Sequence, residues 1–292
     1  MAKIISKLGQ IEQLNFLLTN RIPRRALTRF MGWFSRIENK TLTKLTMFVW
    51  QQFTDGLNLE ESEKKQFNSL QECFIRRLKP NAREIDQAED IIISPCDAVV
   101  GAFGKINELT AFQAKGYPYE ISELIPDAKV REKYRNGNFI TLRLQSTMYH
   151  RFHAPTVCRL KKINYVSGDT WNVNPIALKR IERLYCKNER AILDLDLDEN
   201  TKGEPVHIAL VPVAAILVAS MKFHAIKETL DLKYQGENVI NCDSHYEKGE
   251  EMGYFQHGST ILVFSTNNLK PIDTLKTGHS IKMGQPLMQQ YK

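Results

Sequence analysis

The sequence has 292 residues, 42% of them hydrophobic, and a formal net charge of +7. This length can bury a sizeable core, either as one large domain or as one domain with a smaller appendage. The charge is confined to residues 1–50, where nine Lys and Arg residues face two Glu residues. Such a distribution favours an anionic surface met by the N-terminal end and disfavours a nucleic-acid partner.

The first third of the chain predicts helices. Apolar residues recur at helical spacing over residues 4–18, 27–37 and 42–53, and arginines and aromatic residues are interleaved. Helices that lie in a membrane interface use this pattern. It fits equally well a helical layer that packs on a catalytic core and leaves its arginines in water, and both can hold on different faces. No signal peptide is recognisable at the N-terminus.

A further helix is predicted over Phe67–Leu78, after a polar connection at residues 55–66. Beyond Pro80, short β-prone runs separated by turn residues dominate, with helical insertions at Ile121–Leu124 and Ile176–Arg183. The apolar run Val206–Met221 contains a proline and is shorter than the roughly 18 residues of a spanning helix, so we expect one or two buried strands. The predicted fold class is α+β: an N-terminal amphipathic helical layer followed by a mostly antiparallel β-rich catalytic domain.

Three stretches hold the candidate reactive groups. Asp97 stands in a turn directly after an apolar run, His150 and His153 stand three residues apart, and Ser259 follows Gly258 before an apolar, β-branched run. An aspartate, a histidine and a serine can act as orienting carboxylate, general base and nucleophile, although these residue types are common. The G-x-S-x-G pattern of ordinary serine hydrolases is missing around Ser259.

Other patterns carry less chemistry. The two histidines have no Glu or Cys at a matching spacing, so we expect no metal site. Asp194 and Asp196 alternate with leucines and lack the glycine and glutamate of a calcium loop, which indicates a half-buried strand with outward aspartates. The five cysteines form no C-x-x-C pair, which favours reduced thiols.

Many short segments together resemble bacterial phosphatidylserine decarboxylase, a pyruvoyl-dependent enzyme made as a proenzyme. The similarity extends over nearly the whole chain and includes LTRFMGWFSR (27–36), FNSLQECFIRRLKPNAREID (67–86), SPCDAVVGAFGKI (94–106), QAKGYPYEISELI (113–125), YHRFHAP (149–155), KGEEMGYFQHGST (248–260) and GQPL (284–287). No single segment is specific, but their combination is.

The resemblance implies a role for each candidate residue. Ser259 would attack the carbonyl of Gly258, His153 would be the base, and Asp97 would orient it. The resulting ester would eliminate and hydrolyse, which leaves a β chain of 1–258 and an α chain of 259–292 that begins with a pyruvoyl group. That group would form a Schiff base with phosphatidylserine and accept the electron pair released with CO2. His150 would return a proton during decarboxylation.

Two positions depart from the family pattern. Ala98 stands where the family has a glycine after the aspartate, so this turn must form without the extra freedom of glycine. His257 stands where a leucine usually precedes the cleaved glycine, and we interpret it as a bystander because Asp97 and His153 are both kept.

We therefore expect a phosphatidylserine decarboxylase that forms phosphatidylethanolamine with a covalent pyruvate derived from Ser259. Residues 1–66 would be a helical membrane-associating region and 67–292 the catalytic domain, peripheral on the cytoplasmic face of the cell membrane. The expected partners are phosphatidylserine, an anionic membrane surface, the α and β chains of one proenzyme, and a second copy in a homo-oligomer, with a dimer as first choice. The alternatives are a processing-deficient membrane-surface binding protein and a pyruvoyl decarboxylase of a soluble amino acid.

Overall fold

The computed structural model describes residues 23–52, 54, 57–114, 117–197, 205–217, 220–256 and 259–290. The predicted helix over residues 4–18, and both His257 and Gly258, lie outside these ranges. The helices are α1 (Arg24–Phe34), α2 (Lys40–Gln52), α3 (Leu70–Phe74), α4 (Ile121–Leu124), α5 (Ala128–Glu132), α6 (Pro175–Leu178) and α7 (Leu184–Lys187). The strands are β1 (Ile91–Ile93), β2 (Ala98–Lys105), β3 (Thr110–Ala114), β4 (Tyr117–Glu120), β5 (Asn138–Leu144), β6 (Arg151–His153), β7 (Cys158–Val166), β8 (Arg190–Leu197), β9 (His207–Ala214), β10 (Ser220–Phe223), β11 (Thr229–Asp231), β12 (Val239–Tyr246), β13 (Glu251–Phe255), β14 (Ser259–Ser265), β15 (Leu269–Pro271), β16 (Ser280–Ile281) and β17 (Pro286–Gln290).

An eight-stranded antiparallel sheet forms the centre of the protein, in the order β12-β7-β8-β9-β14-β5-β2-β16. Strand β14 lies in its interior, paired with β5 on one side and β9 on the other. Every residue of β14 is buried, as expected for an apolar run covered on both faces. Strands and N-terminal helices together confirm the predicted α+β class.

Different layers cover the two faces of this sheet. On one face, the four-stranded sheet β11-β10-β13-β6 shares a hydrophobic core with it, for example through Phe152 and Phe255 against Leu142 and Ile261. On the other face, the short helices α4 to α7 pack onto residues such as Leu262. The reactive candidates therefore belong to two layers that meet where β13 leads into β14.

Helices α1 and α2 turn small polar residues inward and large apolar residues outward. Thr28 and Thr43 are 4% and 2% exposed. The hydroxyl of Thr28 accepts a hydrogen bond from the backbone nitrogen of Leu217 at 3.0 Å, and Arg24 pairs with Asp169 at 2.6 Å, so the layer is fixed to the core by polar contacts. Its apolar side chains remain exposed; they are Phe30, Trp33, Leu45, Phe48 and Val49. None of the helices in the described ranges is long and apolar enough to cross a membrane.

Two helix predictions are too long. Ser69 is the N-cap of α3, since its hydroxyl accepts the Glu72 amide at 3.1 Å, so this helix begins at Leu70 and not at Phe67. It ends before Leu78, which pairs in a β-bridge with Ser62. The insertion predicted over Ile176–Arg183 contains α6, which ends at Leu178. By contrast, Val206–Met221 does contain the two predicted strands, β9 and the start of β10.

The aspartates of β8 behave as predicted from their alternation. Asp194 and Asp196 are only partly buried, while Leu193 and Leu195 are fully buried. Asp194 accepts hydrogen bonds from Lys133 at 2.6 Å and from the Tyr134 hydroxyl at 2.7 Å. These carboxylates hold the segment after α5 against the sheet.

Candidate active site

Ser259 is the first residue of β14, opposite Leu144 of β5 and Ala214 of β9. It is 1% exposed, and its hydroxyl has no hydrogen-bond partner among the described residues. A buried hydroxyl without a partner is unfavourable, and such groups usually serve a purpose other than stability. The serine predicted from the sequence is therefore a buried polar residue whose hydroxyl forms no hydrogen bond with the described residues.

His150 lies at the same end of the small sheet as the approach to Ser259. Its carbonyl oxygen accepts a hydrogen bond from the Phe255 backbone at 3.0 Å. Its Nδ1 donates to the Met148 carbonyl at 2.8 Å, and its ring lies 4.0 Å from the ring of Phe74. The imidazole is thus held in one orientation. Phe74, which contacts it, also lines the cavity that Ser259 lines.

His153 stands at the other end of β6, opposite Glu251. Its Nδ1 donates to the Gly249 carbonyl at 2.9 Å, so Nε2 carries the lone pair and accepts the Tyr149 hydroxyl at 3.0 Å. Burial lowers the pKa of His153, and the bond to Gly249 offsets this only in part. The ring is therefore a neutral imidazole at pH 7, the form that a general base needs.

Asp97 lies beside His153 in the fold but binds other groups. Arg83 donates to both of its oxygens, at 2.9 and 2.5 Å, and the Met283 backbone donates at 2.9 Å. Burial alone would lower the pKa of Arg83, but Asp97 and Glu61 raise it well above its usual value. Asp97 is thus fixed by a bidentate ion pair and not by a hydrogen bond to His153.

The turn around Asp97 needs no glycine. Neither Asp97 nor Ala98 has a positive φ, so the alanine adopts this backbone without strain. Ala98 is fully buried at the start of β2. The departure from the family pattern at this position therefore leaves the turn intact.

The fold brings together some of the candidates and separates others. The His153 backbone donates to the Pro95 carbonyl at 2.8 Å, which places it next to the Asp97 turn, and Asp97 acts on its pKa. His153 lines a cavity of about 450 Å³ together with Glu251, whereas Ser259 lines another. Asp97 and His153 are thus neighbours, and His150 is the histidine on the Ser259 side.

A cavity of about 830 Å³ opens beside Ser259. Its lining is mostly apolar and comes from α1, α2, α3 and the ends of β5 and β9. Leu45 and Val49 of α2 line it and are 59% and 47% exposed, so they stand at its mouth. The cavity therefore leads from the exposed apolar face of the helices to Ser259.

Sequence reasoning missed three residues that shape the site: Arg83, Tyr149 and Arg143. Arg83 and Tyr149 lie within the segments that carry the family resemblance, but only the fold shows that they bind Asp97 and His153. Arg143 lines the Ser259 cavity. Its signal was available, since it is the one charged residue in the otherwise apolar and small-polar strand β5.

Comparisons with known proteins agree with one another. The family model for phosphatidylserine decarboxylase matches residues 70–289. The phosphatidylserine decarboxylase proenzyme of Brevibacillus brevis is 34% identical over 92% of this chain and 95% of its own length. Proteins of the same name from Haemophilus influenzae and Aliivibrio salmonicida are 32% and 34% identical, over 91% and 90% of this chain and 92% and 93% of theirs.

Fold and site together describe an α+β protein in which a buried serine at the start of an interior strand has no hydrogen-bond partner among the described residues. One histidine precedes a strand of an adjoining sheet, and the other ends that strand. The chain belongs to the phosphatidylserine decarboxylase family. The predicted family is thereby confirmed, and with it the predicted class, a carboxy-lyase made as a proenzyme. Neither alternative function is favoured by these relatives.

Proposed function

We propose that this protein decarboxylates phosphatidylserine to phosphatidylethanolamine after cleaving itself between Gly258 and Ser259. The observation that carries the proposal is Ser259 itself: a buried hydroxyl with no hydrogen-bond partner among the described residues, at the start of an interior strand, beside a cavity that opens on an apolar surface. Family membership supports the reaction, and this placement supports Ser259 as the residue that is cleaved and modified.

The surroundings of Ser259 fit a pyruvoyl group formed from it. Such a group is small and uncharged, and the adjoining cavity is lined mainly by apolar side chains. The pyruvoyl carbonyl would condense with the substrate amine and accept the electron pair left when CO2 departs. The chain itself has to exclude water, position the lipid and manage protons.

For self-cleavage we propose that His153 removes the proton of Ser259 and that Asp97 supports it. The lowered pKa of His153 keeps its ring neutral and ready to accept a proton. Arg83 holds the Asp97 carboxylate in one place, so that its charge favours the imidazolium once formed. In the folded chain the Ser259 hydroxyl has no hydrogen-bond partner among the described residues, and Nε2 of His153 accepts the Tyr149 hydroxyl, so the two side chains must come into contact for this step.

For decarboxylation we propose that His150 returns the proton to the substrate carbon. Its ring is fixed by Met148 and Phe74, and Phe74 lines the same cavity as Ser259. A fixed imidazole close to the reacting carbon can deliver a proton without reorganising.

The lipid would enter from a membrane that contacts α1 and α2. Five large apolar side chains are exposed on these helices, and the exposed cations Arg25, Arg29, Arg36, Lys40 and Lys44 accompany them. Rings and aliphatic groups would enter the acyl region while the cations meet lipid phosphates. A peripheral position on the cytoplasmic face of the cell membrane, the boundary at residue 66 and a homodimer remain predictions.

Intact mass measurement of the purified protein tests the proposal. Two chains are expected, 1–258 and 259–292, the second with a blocked N-terminus. Ser259→Ala should leave one uncut chain, whereas Ser265→Ala should be cut normally, since Ser265 is buried on the same strand but at its far end. An uncut wild-type chain, or cleavage of the Ser259→Ala chain, would contradict the proposal.

A further inference from the structure

Arg143 is the only charged residue among the described residues that line the cavity beside Ser259. It is half-buried on β5, directly opposite Thr260, the neighbour of Ser259. Its backbone pairs with β14 and β2, but within the described part of the chain its guanidinium forms no hydrogen bond and no ion pair. Cations in partly buried, apolar surroundings are normally paired, so an unpaired one is ready for an anion from outside the protein.

Arg143 also lines a second cavity, of about 890 Å³, on the neighbouring part of β2 and β5. Neither cavity has an aspartate or glutamate in its described lining. The hydroxyl of Thr141 lines the second cavity as well, is 1% exposed and has no hydrogen-bond partner among the described residues. Arg143 therefore stands where two largely apolar cavities meet, with a spare hydroxyl two residues away on the same face of the strand.

From this placement, and resting on the function proposed above, we infer that Arg143 binds the phosphodiester of the lipid substrate. In phosphatidylserine the amine and the phosphodiester are separated by two carbon atoms. Because the amine reacts at residue 259, the side chain that binds the phosphodiester should lie next to this residue. Arg143 precedes Leu144, the ladder partner of Ser259, so its side chain leaves the other face of the sheet. Both residues nevertheless line the cavity at the end of these strands, and this shared lining places the guanidinium next to residue 259. The planar guanidinium can bind two phosphate oxygens at once.

The substrate carboxylate is the competing anion, and the reaction disfavours it as the partner of Arg143. A cation paired with the carboxylate stabilises the ground state, whereas the negative charge leaves that group in the transition state. An arginine bound to the phosphodiester stabilises the ground state and the transition state equally. It should therefore act on substrate binding and leave the chemical step largely unchanged.

Calorimetry on the uncut Ser259→Ala chain tests this assignment without the pyruvoyl group. The probe is dihexanoyl phosphatidylethanolamine, which has the phosphodiester and the amine but no carboxylate. Arg143→Gln should weaken its binding about tenfold to a hundredfold, the loss expected for a charge-assisted bidentate contact. Arg143→Lys should fall in between, since it keeps the charge but loses the fork.

Lys179→Gln is the matched control, because Lys179 is an exposed cation that lines only the second cavity. It should leave binding within about twofold, a change too small for a lost charge-assisted contact. In the self-cleaved enzyme, Arg143→Gln should raise KM for dihexanoyl phosphatidylserine and leave kcat nearly unchanged. Normal self-cleavage of that variant shows that it folds.

The inference is overturned if Arg143→Gln leaves phosphatidylethanolamine binding unchanged, if it weakens binding of phosphatidylserine alone, or if the Ser259→Ala chain does not bind the probe. The second result would assign Arg143 to the carboxylate. Failure of the wild-type chain to cleave itself would instead contradict the proposed function, and the binding measurement would stand separately.

Discussion

Replacing Trp33 and Phe48 together by serine should weaken the binding of this protein to anionic vesicles by about 30- to 160-fold, from the hydrophobic free energy lost. The two side chains are 63% and 60% exposed in the free protein, so more than half of each remains to be buried. Full burial of a large apolar side chain is worth about 1.5–3 kcal/mol, and the pair would therefore contribute about 2–3 kcal/mol. Both side chains are largely exposed, so the fold should tolerate the change.

Sedimentation with vesicles that contain phosphatidylserine measures the effect, and self-cleavage of the variant reports on its folding. Val239→Ser is the matched control. Val239 is 48% exposed on the edge strand β12, away from α1 and α2, and is the one large apolar residue so exposed elsewhere in the described chain. Its loss should leave vesicle binding unchanged.

Salt separates the two parts of the interaction. Raising the ionic strength should weaken the contribution of the exposed arginines and lysines but not that of the apolar side chains. If the double serine variant binds vesicles as tightly as the wild type at every salt concentration, α1 and α2 do not form the membrane surface. If Val239→Ser weakens vesicle binding as much as the double variant does, the assignment of the membrane surface to α1 and α2 is also wrong.

The remaining predictions concern titratable groups. His153→Gln should abolish self-cleavage, whereas His150→Gln should be cut but lose most decarboxylase activity. Mass measurement detects the cleavage, and CO2 release measures the decarboxylase activity. The reverse pattern would exchange the roles of the two histidines. Because burial lowers the pKa of His153, its base form persists to lower pH, and self-cleavage should stay at its full rate below the ordinary histidine pKa of about 6.5; a half-maximal rate at that pH would count against it. Burial raises the pKa of Glu189 to about 7 from 4.5, so the unfolded chain loses this proton first and stability falls as pH rises between these values. Glu189→Gln, in the uncut Ser259→Ala chain, should therefore raise the free energy of unfolding by up to about 3 kcal/mol at pH 8 and leave it unchanged near pH 4. Denaturant titration measures both values. If the chains with Glu189 and with Gln at this position are equally stable at pH 8 as well as at pH 4, the prediction is wrong.

Local patterns predicted the elements of the fold, and tertiary contacts decided what the patterns could not. Beyond Pro80 the sequence predicts short β-prone runs, and Asn138–Leu144 is one of them: its composition favours a strand, and it forms β5. The helix predicted over Phe67–Leu78 has the right period but the wrong length, since its ends depend on the cap at Ser69 and the bridge at Leu78. Strand order was not predictable, because β14 pairs with strands more than 40 residues away in the sequence.

The candidate site follows the same division. Short motifs predict Asp97, His150, His153 and Ser259, yet the fold sets the hydrogen-bond partners of the first three and leaves the Ser259 hydroxyl without one among the described residues. Neither the bidentate pairing of Asp97 with Arg83 nor the contact of His153 with Tyr149 has a local signature. Helix periodicity placed aromatic residues and arginines together, but only the packed structure shows that threonines face inward and aromatic residues outward.

The interior position of β14 determines how the protein can fold before and after cleavage. The segment 259–292 supplies β14 between β5 and β9, β16 beside β2, and β17 beside β1 with β15 on its other side, so each of its strands shares a sheet with strands from before Ser259. Once the proposed self-cleavage has broken the bond before Ser259, folding changes from a unimolecular reaction to an association of two chains, whose stability depends on concentration. We expect the uncut Ser259→Ala chain to refold from denaturant, and the self-cleaved protein to do so poorly when diluted. Folding must come first and cleavage second, and the mature enzyme then depends on never fully unfolding.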